Sequence, residues 1–278
     1  MITVRHRATG DTLLEWPGET LAGAELPNAV LLYADLCGAD LRGADLRAVD
    51  LCQADLRNAV FDGANLAGAD VTLANLAGAS FRNAILADAR LQGVTLDVAG
   101  PARTDFRGAE LTRVNLKNSN LSASTFADAE MRRIDLTHVD LSGSDLSGAN
   151  LTEANFSYST LRGTDLSYSM LVSALFNAVD LAGASLRHTD LTFAVLNGAA
   201  LADADFSSAL LSRTVIAQCT DLWRARGLDT LELLSRSSID LATLRQGAEN
   251  LPDELLQRIG LEGEALAALR SASAVPGR

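Results

Sequence analysis

ADLCGADLRGADLRAVDLCQADL, residues 34–56, decides how this chain folds. Leucine returns at Leu36, Leu41, Leu46, Leu51 and Leu56, each preceded by aspartate and, two residues back, by alanine or valine. Stepping by five from Leu21 to Ile216 gives 40 positions with no insertion or deletion: 29 Leu, seven Phe, Val71, Met131, Ile216 and one exception, Pro101. The position two residues earlier, from Ala24 to Thr214, is Ala, Ser, Thr or Val everywhere except Ile134. A period of five belongs neither to an α-helix nor to a flat strand, so the chain must turn a corner every pentad. The large and the small apolar residue, two apart, lie on one side of an extended backbone. The residue between them, often Asp or Asn, then faces outward.

Composition narrows the classes further. Hydrophobic residues make up 48% of the 278, but only 5% are aromatic, so the interior is built from Leu and Ala. Such side chains suit a narrow, regular interior. The formal net charge of -12 makes direct binding to nucleic acid unexpected, because such binding relies on Lys and Arg to neutralise phosphates. The N-terminal stretch MITVRHRATGDTLLEW has no uninterrupted apolar region of the kind a secretory signal carries. No stretch approaches the roughly 18 apolar residues of a membrane span. Three cysteines, Cys37, Cys52 and Cys219, are odd in number and too few to form a disulfide framework, which points to a reducing cytoplasm.

Catalytic chemistry finds no foothold. His6, His138 and His188 lie far from any cysteine at metal-ligand spacing. The abundant Ser and Asp are accounted for by the repeat, and Gly38, Gly43, Gly63 and Gly68 fall at the corner position of their pentads rather than in a phosphate-binding loop. No catalytic, cofactor-binding or metal-binding residue is assigned, and the chain is read as non-enzymatic.

The pentads Ala39-Asp40-Leu41-Arg42-Gly43 and Ala149-Asn150-Leu151-Thr152-Glu153 resemble the A(D/N)LxG motif of the pentapeptide-repeat proteins, over about 70% of the chain. The resemblance implies an all-β solenoid: a right-handed quadrilateral β-helix with four pentads per coil, hence about ten coils. At ~4.8 Å per stacked layer that is a rod about 48 Å long. Residues twenty apart should then stack, which pairs Phe61 with Phe81, Phe106 with Phe126, and Phe156 with Phe176.

Three regions follow: an N-terminal β cap (1–20), the repeat (21–216) and a C-terminal extension (217–278). The cap is expected as two short strands around Thr9-Gly10-Asp11. In the extension, DLWRARGLDTLELLSRSS (221–238), IDLATLRQGAEN (239–250) and the stretch from Leu251 read as two to four short helices, with Pro252 as a start signal. Family members commonly dimerise through a C-terminal helix, so Leu222, Trp223, Leu231 and Leu234 are candidates for a homodimer or docking handle that also caps the rod. The weakest pentads run from Ile85 to Thr104. Proline cannot donate to a ladder, so Gly100 and Pro101 mark a bulge or short excursion, either a protruding contact or a kink without a role.

Charge is the remaining surface signal. Residues 134–216 carry nine acids against three arginines, whereas residues 21–133 carry fourteen acids against eleven bases. With a strict twenty-residue coil, Asp45, Asp105, Asp145, Asp165 and Asp205 would share one face as an acidic stripe, together with Glu25. Each Asp could instead satisfy backbone donors at its turn. Two functions follow from the resemblance and the charge. The first is a DNA mimic that binds a bacterial type II topoisomerase (DNA gyrase or topoisomerase IV) and protects it from a poison or toxin. The second is a scaffold or adaptor that binds proteins through the rod faces and the tail.

Overall fold

The structure is a computed structural model, and it describes residues 1–94, 104–235 and 237–273. Most described pentads close a tight turn in which the small inward residue donates its N–H to the carbonyl of the inward apolar residue three positions back, as from Ala24 to Leu21 at 3.1 Å. The residue between them at the corner has positive φ, for example Gly23 at 67°, the feature of a type II turn that favours glycine. The outward residue then joins the next layer: Asp45 donates to Ala24 O at 2.9 Å, and its own carbonyl accepts from Leu26 at 2.8 Å. Backbone polar groups are thus paired within turns or between layers, and the inward residues form one continuous apolar core.

Parallel bridges between outward residues line up in four columns, here named for their first members, Glu25, Val30, Asp35 and Asp40. The step along a column is twenty residues, as from Glu25 to Asp45 to Asn65 to Ile85. This is a solenoid-like architecture in which each layer contacts its neighbours. Several inward Ser and Thr fit because their hydroxyls reach a carbonyl of the preceding layer. Ser144 donates to Leu121 O and Thr164 to Leu141 O, both at 2.8 Å.

At one place the step changes. Ser80 pairs with Asp105, Ile85 with Glu110 and Arg90 with Asn115, each 25 residues on, before the step of twenty resumes at Asp105–Thr125. The inward hydroxyls show the same surplus, since Thr104 donates to Leu76 O and Ser119 to Leu91 O, 28 residues back instead of 23. The step between paired residues is therefore five longer across this interval, and Gly100 and Pro101, which fall within it, lie outside the described residues. Because the surplus is five residues, the inward phase survives while every later residue moves round by one column. The expectation of pairwise Phe stacking changes accordingly: Phe61, Phe81, Phe106 and Phe126 form one continuous stack with centroids 4.7, 5.0 and 4.7 Å apart, and Phe156–Phe176 a separate pair at 5.0 Å.

At the N-terminus β1 (Ile2–His6) pairs antiparallel with β2 (Thr12–Trp16) and, on its other side, with β3 (Ala34–Asp35). The short strands β4 (Val195–Asn197), β5 (Leu210–Ser212) and β6 (Val215–Ala217) belong to the last regular layers. Beyond them the helix expected over 221–238 is replaced by one irregular turn of ladder. A 3-10 turn at Leu222–Arg224 leads to Arg226, which bridges Asp205. Next, β7 (Glu232–Ser235) pairs parallel with β5, and β8 (Ser238–Ile239) with β6. The open edge of the last layer supplies a row of unpaired backbone groups, and Leu222, Leu228 and Leu231 are buried at this end of the core. Those two demands override local helix preference. Helices follow: α1 (Leu241–Arg245), N-capped by the Asp240 carboxylate accepting from Thr243, α2 (Asp253–Arg258), entered through Pro252, and α3 (Gly263–Ser273). Leu244, Leu251, Leu255 and Leu256 are buried beneath them, and Arg258 donates to Leu231 O at 2.7 Å.

Candidate functional site

The outward columns are the surface on which function has to be sought. The shift in the ladder redistributes the expected acidic stripe. Asp105, Asp145, Asp165 and Asp205 lie in the Asp40 column, whereas Asp45 lies in the neighbouring column with Glu25. The stripe is therefore not continuous across the longer step.

Most of these carboxylates work for the turn that carries them. One Oδ1 accepts the N–H of the residue two positions on, at 3.3 Å for Asp45 to Arg47, 3.1 Å for Asp105 to Arg107 and 3.0 Å for Asp145 to Ser147. What the side chain of that following residue does then decides the charge. In the first half it is often arginine, and the guanidinium folds back on the carboxylate. Arg42–Asp40, Arg47–Asp45 and Arg57–Asp55 form two-pronged pairs. In the second half the same place is mostly Ser or Thr, as in Asp135-Leu136-Thr137, Asp145-Leu146-Ser147 and Asp165-Leu166-Ser167, with Ala182 after Asp180 the exception. A hydroxyl donates without neutralising: Ser147 Oγ reaches Asp145 at 2.6 Å.

Asp105 and Asp205 are 9% and 8% exposed, so they are poor contact residues. Asp105 is held by both Arg107 and Arg82, and Asp205 lies 3.6 Å from Arg187. Among the described residues Asp145 and Asp165, one layer apart in the Asp40 column, make no ion pair. The reading of charge by column missed this contrast, although the motif Asp-Leu-Arg against Asp-Leu-Ser displays it.

The Asp105 carboxyl shows the opposing forces. Burial pushes it up, but hydrogen bonds from the Arg107 side chain and backbone and from Arg82 outweigh this and hold it at about 2. A carboxyl lowered in the folded state stabilises the fold above its unfolded value, and that contribution is lost as pH falls through the folded value. Stability is expected to drop between about pH 4 and pH 2 in part through Asp105. In Asp105→Asn, denaturation midpoints across that window should fall less steeply than in wild type; an unchanged slope would remove Asp105 from the account.

The tail residues divide. Leu222 and Leu231 are buried by their own chain, whereas Trp223 and Leu234 are exposed. Gly100 and Pro101 lie outside the described residues. Cys37 is exposed, Cys52 half-buried and Cys219 buried, and burial pushes the Cys219 thiol up to about 11. His138 stacks on Tyr158 and His188 on Tyr168 at the corners. Among the described residues no group of His, Cys, Asp and Glu is placed to hold a metal ion, and no helix is long and apolar enough to cross a membrane.

The family model described as pentapeptide repeats matches residues 16–43, 39–76, 74–97, 102–128, 129–167 and 174–213 of this chain in eight copies. The chain belongs to the pentapeptide repeat family. Among solved structures it is similar to HetL, a pentapeptide repeat protein involved in heterocyst differentiation regulation from the cyanobacterium Nostoc sp. strain PCC 7120. The identity is 29% over 74% of this chain and 90% of that one, with a TM-score of 0.70. QnrB1, a plasmid-mediated fluoroquinolone resistance protein, aligns over 80% of this chain and 90% of its own at 15% identity and a TM-score of 0.49. A search of curated proteins returns no match.

Proposed function

We propose that this protein is a non-catalytic binding rod whose second half offers unneutralised carboxylates to a basic protein surface. The observation that carries the reading is the replacement of Asp-Leu-Arg by Asp-Leu-Ser or Asp-Leu-Thr, which leaves Asp145 and Asp165 without an ion pair on one column. Fixed negative charge of this kind steers a basic cleft toward the rod. In this reading about ten right-handed coils present the charge, and family resemblance makes the DNA-binding cleft of a bacterial type II topoisomerase the first partner to test.

The experiment is a gyrase supercoiling assay with and without a quinolone. Wild-type protein at micromolar concentration is expected to alter supercoiling or drug-induced cleavage, and Asp145→Lys with Asp165→Lys to weaken the effect at least about tenfold, the equivalent of ~1.4 kcal/mol. No effect of the wild type would sink topoisomerase mimicry. The adaptor reading draws on a different observation, the apolar residues that stand outward on the upper layers. Homodimerisation through the tail, with Trp223 and Leu234 as the residues left exposed to carry it, is tested by sedimentation of the full chain.

A further inference from the structure

Outward positions in the Glu25 and Val30 columns are largely polar as far as Asn150 and Asn155, and then change character. Above those layers the Val30 column reads Leu175, Val195, Val215, and the Glu25 column reads Met170, Asp190, Leu210, Glu232. Phe193 stands at the corner between the two columns with the Arg213 guanidinium 5.4 Å above its ring. Met170, Leu175, Phe193 and Val215 are 45%, 37%, 47% and 37% exposed. None of these side chains contributes to the interior, where Leu171, Phe176, Leu191 and Leu196 already fill the same layers. Bridge register places them on adjacent faces of consecutive layers, so they form one apolar strip along the rod.

We propose that this strip is a docking surface for an amphipathic helix of a partner protein, with a Leu, Ile or Phe stripe flanked by Lys or Arg. Charge argues for the cationic flanks. Asp190 and Glu232 alternate with Met170 and Leu210 along one edge, and among the described residues neither makes an ion pair. The net charge of -12 opposes a second copy of the same chain as the occupant. Spacing argues for a helix lying along the rod axis. The layers repeat at 4.7 to 5.0 Å, as the stacked rings show, and a helix turn rises about 5.4 Å. Three successive turns thus stay within about 1 Å of Leu175, Val195 and Val215. Apolar anchors repeating every three or four residues are how such helices are held in grooves. The strip shares no residue with the Asp145 and Asp165 site: the Val30 column lies two columns away from the Asp40 column, and the Glu25 column lies beside it.

The test uses the full chain and a fluorescein-labelled synthetic 18-residue Leu/Lys peptide of amphipathic order (a length of roughly five helical turns), beside a scrambled peptide of the same composition. Wild type is expected to bind the amphipathic peptide at least about tenfold more tightly than the scrambled one. Leu175→Ser with Val195→Ser and Phe193→Ser should lose that preference, and so should Met170→Ser with Leu210→Ser. Two variants in different columns guard against a folding defect in either, and Ser80 and Ser185 show that the outward position accepts serine. Asp145→Asn with Asp165→Asn should leave the preference intact. Equal binding of both peptides, or an unaltered preference in both strip variants, would overturn the proposal. So would self-association of the wild type that the strip variants abolish, because the occupant would then be a second copy. A negative supercoiling assay does not touch this result, since the two tests read different columns.

Discussion

Replacing Phe106 by alanine is expected to destabilise the fold by about 3–5 kcal/mol, the range for truncating a fully buried aromatic, and the cost should be shared with Phe81 as well as with Phe126. The Phe106 ring lies between these two at 5.0 and 4.7 Å, tilted by 7° and 4°. Parallel rings at such distances contribute roughly 0.5–1.5 kcal/mol beyond burial. A double-mutant cycle read by chemical denaturation should therefore show coupling for Phe81/Phe106, 25 residues apart, of the size found for Phe61/Phe81, 20 apart. Phe126 and Phe156 follow different columns and should be additive. Additivity for Phe81/Phe106 would contradict the 25-residue step.

The second large effect is expected at Gly227→Ala. Gly227 has a φ of 72°, and a Cβ there would overlap the backbone and hydroxyl of Ser207. Positive φ alone costs a non-glycine residue about 1–2 kcal/mol, and the overlap adds a comparable amount, roughly 1–3 kcal/mol, because backbone cannot step aside. Gly43→Ala is the control: its φ is 62°, yet a Cβ would meet nothing within 4 Å. Ala48 already occupies such a corner at a φ of 53°. The two variants should differ by at least about 1 kcal/mol in denaturation, and hydrogen exchange in Gly227→Ala should rise first in β7 and β8. Equal costs at Gly43 and Gly227 would mean that the last ladder turn is not packed as described.

Much of this architecture was legible because five-residue periodicity is local. Ala39, Leu41, Ala44 and Leu46 must turn inward whatever lies above or below them, since a single displaced residue would expose a leucine. The corner glycines read correctly for a similar reason, the backbone φ being decided within one turn. The tail was less legible. DLWRARGLDTLELLSRSS carries helix-forming residues, but its conformation answers to the unpaired edge of the layer beneath it, which no local pattern displays. Leu222 and Leu231 were candidates for contact with a partner and are instead buried by their own chain.

The acidic face shows the division most sharply. That Asp45, Asp105, Asp145, Asp165 and Asp205 point outward follows from the chain alone, because phase modulo five sets inside and outside. Which of them share a column depends on the number of residues between layers. A surplus of five is invisible to a period of five: the inward positions stay in register while the outward ones rotate by one face. Only the hydrogen-bonded ladder, pairing Ser80 with Asp105 rather than with Gly100, counts those residues. The same holds for charge, since an outward arginine can fold back on the aspartate two residues before it, as Arg107 does on Asp105, or reach another layer, as Arg82 does across 23 residues to the same Asp105. Composition determined that the rod is acidic; inter-layer contacts determined where that acidity is left uncancelled.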